Sequence, residues 1–203
     1  MKIRYIAVCG LEGSGKSTVI LALKDFFKDA NTDFISVREP GGTPLAEKCR
    51  KMVKDDEEEH ISADAELMLF YASRVLLIDN RIIPALSNSK VVLSDRCLAC
   101  SDAHQKAGGA SPELIDTLNN HVVKVKPDLY IYLDVEPELG FKRVDARGVR
   151  DRIEKNDISY FVKARENYIA YMKKQENVIF VDSNAPMADV IDFVMTEMAK
   201  YTY

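Results

Sequence analysis

The chain has 203 residues, 47% hydrophobic and 30% charged, with a formal net charge of −4; this suits one α/β domain with a sizeable core and excludes a general nucleic-acid binder, which needs a basic surface. No apolar run approaches the ~20 residues of a membrane span. The opening residues Met1 to Val8 lack the apolar h-region and cleavage site of a signal peptide, so a cytoplasmic protein is expected.

Residues 3–9 read as a buried strand, followed by a glycine-rich turn at 10–15 and an amphipathic helix to about Lys28. Residues 34–37 form a short strand that ends at Arg38-Glu39-Pro40-Gly41-Gly42-Thr43. Thr43 can N-cap a helix with Pro44 at its first position. That helix fades into Asp55-Asp56-Glu57-Glu58-Glu59, read as a solvated acidic loop because like charges in a row repel. A long helical pattern covers 64–86, with Leu67, Phe70, Arg74, Leu77 and Ile78 at helical spacing, and Pro84 is expected to bend or end it. Residues 90–94 form a strand closing on Asp95-Arg96. A polar loop at 104–111 leads to a helix at about 112–125. Residues 129–133 are another strand, and a helix from Pro137 runs to the basic stretch Arg147-Gly148-Val149-Arg150-Asp151-Arg152. A helix at about 157–174, a strand at 178–181 and a helix from Met187 complete the chain.

Five short apolar strands separated by helices predict a parallel sheet covered on both faces, a three-layer α/β sandwich. Without repeats or linkers, residues 1–203 are read as a single domain. Ligands of such sheets bind at the carboxyl ends of the strands. The glycine-rich turn, Arg38, Asp95, Arg96 and Asp134 all fall at or just after predicted strand ends, so they can share one edge.

The segment Gly10-Leu11-Glu12-Gly13-Ser14-Gly15-Lys16-Ser17 fits G-x-x-x-x-G-K-[ST], with an apolar strand before it and a helix after it. Its glycines let backbone N–H groups wrap phosphates, and the helix N-terminus adds partial positive charge. Lys16 is expected at the β- and γ-phosphates and Ser17 at Mg²⁺, with Thr18 among the nucleotide-binding residues. The motif predicts a P-loop NTPase-like fold that binds ATP. It does not itself separate kinase from ATPase or GTPase, but the absence of N-K-x-D and the short chain favour small-molecule phosphoryl transfer.

Four cysteines are present, Cys9, Cys49, Cys97 and Cys100. The C-x-x-C at Cys97 can be a redox pair or, with His104, part of a zinc site. With no second pair to complete a tetrahedral site, the preferred reading is two small reduced side chains beside the active site.

The P-loop, REPGGT at Arg38 to Thr43, FYASR at Phe70 to Arg74, DR at Asp95-Arg96, PDLYIYLDV at Pro127 to Val135 and ARGVRDRIE at Ala146 to Glu154 resemble bacterial thymidylate kinases in order and spacing. The resemblance implies a nucleoside-monophosphate-kinase domain with a lid at about 143–156, transferring the ATP γ-phosphate to dTMP to give dTDP and ADP. It further implies a homodimer and no nucleic-acid or membrane partner. Phe70 and Arg74, four apart on one helix, project on the same side; the resemblance implies that Phe70 stacks on thymine and Arg74 bonds a base carbonyl. Arg96 and Arg38 are expected at the dTMP phosphate, where a guanidinium fork suits phosphate oxygens. Asp95 is expected at Mg²⁺ or its waters, and Glu12 at the sugar hydroxyl. Glu39 and Pro40 lie in the substrate loop, and Pro40 invites a cis peptide.

The acceptor is already ionised, so alignment and charge neutralisation carry the chemistry. With Leu11, Glu12, Gly13 and Ser14 inside the P-loop, the resemblance assigns the catalytic positive charge to the lid, with Arg147 and Arg152 matching the family pattern and Arg150 as an extra. Departures gather at the nucleoside pocket: Cys97 stands where the family carries Tyr or His, and Cys100-Ser101-Asp102-Ala103-His104-Gln105 replaces its usual Ser or Thr and Ala-Tyr-Gln. Ser101, His104 and Gln105 remain candidates for the thymine edge. A broader deoxynucleoside monophosphate kinase is therefore a second reading, and a nucleotide-binding regulatory protein without turnover is a third.

Overall fold

The five apolar runs become the strands β1 (Tyr5–Gly10), β2 (Phe34–Arg38), β3 (Val91–Asp95), β4 (Leu129–Asp134) and β5 (Val178–Asp182). All are parallel, in the order β2-β3-β1-β4-β5. The computed structural model describes residues 2–55, 59–146, 148 and 152–203. Every residue of β1 is buried, because helices cover both faces of a central parallel strand. The strand period divides the core in two. Tyr5, Ala7, Cys9, Tyr130 and Tyr132 enter one apolar cluster, and Ile6, Val8, Leu129, Ile131 and Leu133 enter the other.

Helices α1 (Lys16–Asp29) and, at the end of the chain, Met187–Met198 supply the second cluster through Val19, Leu23, Phe27, Val190 and Val194. The first cluster is supplied by Ala63–Leu77, Pro112–His121 and Ile158–Met172. In chain order the helices after α1 are α2 (Pro44–Lys54), α3 (Ala63–Leu77), α4 (Ile83–Ser87), α5 (Pro112–His121), α6 (Pro137–Asp145), α7 (Ile158–Met172) and α8 (Met187–Met198). As expected, Thr43 caps α2: its hydroxyl accepts from the Ala46 N–H at 3.2 Å, with Pro44 in the first turn.

One helical reading gains a detail and one is corrected. The pattern at 64–86 is helical throughout, with a π-helical turn at Ile78–Ile82 joining α3 to α4. Pro84 explains it, since proline has no N–H to return and its ring clashes with the carbonyl four residues back; a wider turn relieves both. The correction concerns 104–111. Residues 99–107 are helical, with a π-helical turn at Ser101–Gln105. That turn carries Ser101, His104 and Gln105 into the interior, where all three are buried. Of the acidic run, Asp56, Glu57 and Glu58 lie outside the described residues. Among the described residues, no helix is long and apolar enough to cross a membrane.

The sheet brings the strand ends together. Asp95 pairs in register with Val8 on one side and Arg38 on the other. The chain reverses its direction of winding at β1, which lies between β3 and β4, so a crevice opens at their carboxyl ends.

Candidate active site

The crevice is a cavity of about 540 Å³, within the ~300–1,000 Å³ typical of small-molecule sites. On one wall the P-loop turns from β1 into α1. Gly13 has φ 74°, and a Cβ there would stand 2.3 Å from the Gly140 carbonyl oxygen, so only glycine lets the loop lie against α6. The Arg143 guanidinium, also from α6, donates to the Gly13 carbonyl at 3.2 Å and to Ser183 O at 2.9 Å. Lys16 folds back under the loop and donates to Gly10 O at 3.0 Å and Leu11 O at 2.7 Å. Burial, reinforced by the Arg96 charge, pushes its ammonium down to about 8 against the pull of Glu12 and Asp95. Gly13, Gly15, Lys16, Ser17 and Thr18 line the cavity, whereas Gly10, Leu11 and Ser14 lie behind it.

Arg96 follows β3 with φ 72°, a left-handed conformation rare for a non-glycine residue. Its guanidinium meets Glu12 Oε1 at 2.5 Å. Burial pushes the Glu12 carboxyl up, but Arg96, then His104 and Lys16, outweigh that and hold it well below the ordinary carboxylate range. Glu12 Oε2 lies 3.8 Å from His104 Nε2. The His104 ring is packed among Tyr160, Phe161 and Tyr168, and burial pushes its pKa down.

Beneath Phe70, Arg74 is 2% exposed and its Nε donates to Glu39 Oε2 at 2.7 Å; Glu39 is 4% exposed. Arg74 also donates to Ser101 Oγ at 3.1 Å through both terminal nitrogens and to Cys97 O at 3.4 Å. Phe70 and Arg74 line the cavity together, as their spacing predicts, with Glu39, Pro40, His104 and Gln105. Ser101 reaches the cavity only through Arg74. The Glu39-Pro40 peptide is cis. Arg38 lines the cavity too, held by both oxygens of Glu47 at 3.0 Å.

Of the lid arginines, Arg152 alone is among the described residues. Arg147 and Arg150 lie outside the described residues. Arg152 does not line the cavity: it donates to Val53 O at 2.9 Å and pairs with Glu66, which also accepts from Gln105. In its place, three cations absent from the sequence-based set reach the cavity, Arg50 and Lys54 of α2 and Arg143 of α6. The four-residue spacing of Arg50 and Lys54 is the signal that could have found the first two.

Five buried side-chain atoms have no hydrogen-bond partner among the described residues: Glu12 Oε2, Ser14 Oγ, Glu39 Oε1, Asp95 Oδ1 and His104 Nε2. All but Ser14 belong to residues on the cavity wall. Unsatisfied buried polar atoms are costly, so this grouping marks the cavity as built for a polar ligand. The orphaned Asp95 carboxylate oxygen and the Ser17 hydroxyl at the start of α1 are hard oxygen donors that fit Mg²⁺. A divalent ion there would take its other ligands from phosphate and water.

A family model for thymidylate kinase matches residues 8–194. The chain is 42% identical over 192 residues to the thymidylate kinase of Pseudoalteromonas translucida strain TAC 125, covering 94% of this chain and 92% of that one. It is 39% identical over 208 residues to the thymidylate kinase of Idiomarina loihiensis, covering 100% of both. With the thymidylate kinase of Vibrio campbellii it shares 38% over 205 residues, 99% of this chain and 98% of the relative.

Proposed function

The chain belongs to the thymidylate kinase family, and we propose on that basis which of its residues carry phosphoryl transfer from ATP to dTMP, giving dTDP and ADP. The observation that carries the assignment is the grouping of orphaned polar atoms from Glu12, Glu39, Asp95 and His104 in one cavity beside the P-loop.

ATP phosphates lie along the P-loop amides and the α1 N-terminus, with Lys16 exchanging its backbone carbonyl partners for phosphate oxygens. Mg²⁺, when bound near Ser17 and Asp95, neutralises charge on the transferred group. The dTMP phosphate faces Arg96 and Arg38, its sugar Glu12, and its base Phe70 and Arg74. Of the guanidinium N–H groups on Arg74, the contacts to Glu39, Ser101 and Cys97 leave one on Nη1 for a base carbonyl. Because the acceptor oxygen is already anionic, no general base is required; the site aligns two phosphates and balances their charge.

The test supplies ATP and Mg²⁺ with dTMP, dUMP, dCMP, dGMP and UMP in turn and follows ADP release. Release with dTMP well above the others is expected. None with any acceptor would sink the kinase assignment, and equal rates with dTMP and dGMP would sink its selectivity.

The lid at about 143–156 is proposed to bring Arg147 and Arg152 to the transferring phosphate. Arg152→Ala is expected to lower kcat about 10²-fold, the cost of misplacing a group by about 1 Å, with little change in dTMP affinity; an unchanged kcat would remove Arg152 from catalysis. We also propose a homodimer across α2 and α3, where Leu45, Met52 and Met68 stay exposed. A light-scattering mass of 22.9 kDa, that of one chain, would contradict it.

A further inference from the structure

Glu66 of α3 does not line the cavity, yet it grips the site from behind. Its Oε1 accepts from Gln105 Nε2 at 3.3 Å, and its other oxygen pairs with the Arg152 guanidinium. Glu66 precedes Phe70 by the same four residues that separate Phe70 from Arg74, so one face of α3 carries all three. Gln105 is buried and lines the cavity. A carboxylate held by a guanidinium has no proton to give, so only the amide nitrogen of Gln105 can face it. In a planar amide the oxygen and nitrogen stand on opposite sides of one carbon. Turning Nε2 to Glu66 therefore leaves Oε1 as the atom offered to a ligand. The same π-helical turn, Ser101–Gln105, also holds Arg74, whose two terminal nitrogens donate to Ser101 Oγ at 3.1 Å. One turn thus sets both a guanidinium donor and an amide acceptor on the cavity wall.

We propose that Glu66 is a positioning residue for base selection: it fixes the Gln105 amide so that the cavity offers a carbonyl oxygen to a base N–H. The proposal rests on the reading above, in which the base lies against Phe70 and Arg74. A pyrimidine with a carbonyl beside a ring N–H presents an acceptor and then a donor, the complement of the Arg74 N–H and Gln105 Oε1. Cytosine carries an amino group beside an unprotonated ring nitrogen, which is the reverse pattern. On this wall its donor meets a donor and its acceptor meets an acceptor. Buried polar groups left unpaired in this way are what let a hydrogen-bonding site reject an analogue of nearly the same shape. Arg152 contributes by keeping Glu66 charged and in place. The lid segment and the base wall thereby share one carboxylate.

The experiment uses Glu66→Gln in the full chain, an isosteric change at a position that is only partly buried. The new amide can donate as well as accept, so Gln105 becomes free to turn its Nε2 toward the base. Binding of dTMP and of dCMP is measured by titration calorimetry, and kcat/KM is measured for both. In Glu66→Gln the affinity for dCMP is expected to rise about tenfold, roughly the worth of one hydrogen bond, while that for dTMP falls by no more than this. A general loss of structure cannot raise dCMP binding. In a Gln105→Leu background, Glu66→Gln is expected to leave the ratio of the two affinities unchanged, because the amide it positions is gone. The wild type separates the two layers of the argument. Equal wild-type binding of dTMP and dCMP would remove the base-pocket reading itself. A wild-type preference for dTMP that Glu66→Gln leaves intact, or a shift of the same size without Gln105, would overturn the role of Glu66 alone.

Discussion

Replacing Lys16 with alanine is expected to lower kcat/KM for ATP by about 10³-fold, the upper end of what losing one preorganised charge donor costs. The side chain is buried and already turned inward, bonded to the Gly10 and Leu11 carbonyls. Steady-state ADP release with dTMP as acceptor measures the effect, and a fall of less than tenfold would contradict the role. The fold should survive, because removing Lys16 relieves a buried cation instead of orphaning one. A pH arm adds a signature that steric loss would not produce. Lys16 is pushed down to about 8, and only the protonated form attracts phosphate. The profile of kcat/KM reports groups of the free enzyme. It should therefore fall about tenfold per pH unit once the pH passes the Lys16 value. Lys16→Arg, which cannot lose its proton in this range, should give a lower but flat profile.

Arg74→Met is expected to destabilise the protein by about 3–5 kcal/mol, the cost of breaking one side of a buried ion pair. In a chain of this size that is on the order of 10 °C in Tm. Glu39 already has its pKa raised by burial despite Arg74; without the guanidinium its buried carboxylate loses the ion-pair partner it has among the described residues, and one oxygen is orphaned even now. Ser101 Oγ and Cys97 O lose a donor in the same stroke. Combining Arg74→Met with Glu39→Gln should recover a large part of the loss, since the uncompensated charge is gone. Thermal unfolding of the two single variants and the double variant measures the coupling. Additive losses would show that the pair is not the source of the effect.

How far the site could be read from the chain depended on the range of the interactions. The P-loop was legible because glycine spacing, the lysine and the flanking strand and helix are all local. Thr43 and Pro44 were legible as a cap for the same reason, and the five strands as short apolar runs. What escaped is long-range. Arg143 is recruited by Gly13, 130 residues away, and nothing near residue 143 announces a P-loop partner. Arg152, expected over the nucleotide, pairs with Glu66, 86 positions distant. Helical spacing put Arg74 on the same side of α3 as Phe70, and both line the cavity, but its counter-ion Glu39 lies on the loop after β2. The π-helical turns at 78–82 and 101–105 were missed because a single widened turn hardly disturbs a 3.6-residue period. The second of them is the one that sets His104 beside Glu12.

The alternation of side chains along β1 and β4 has a consequence for engineering. Residues such as Phe27, Val194 and Met198 pack on the opposite side of the sheet from Cys9, Cys97, Tyr132 and Tyr168. With the backbone layer between them, substitutions on the two sides share no side-chain partners, and their free energies should add within about 0.3–0.5 kcal/mol. The second half of α8 and the end of α1 are therefore where thermal tolerance can be raised by repacking while the geometry beneath the nucleotides stays as it is.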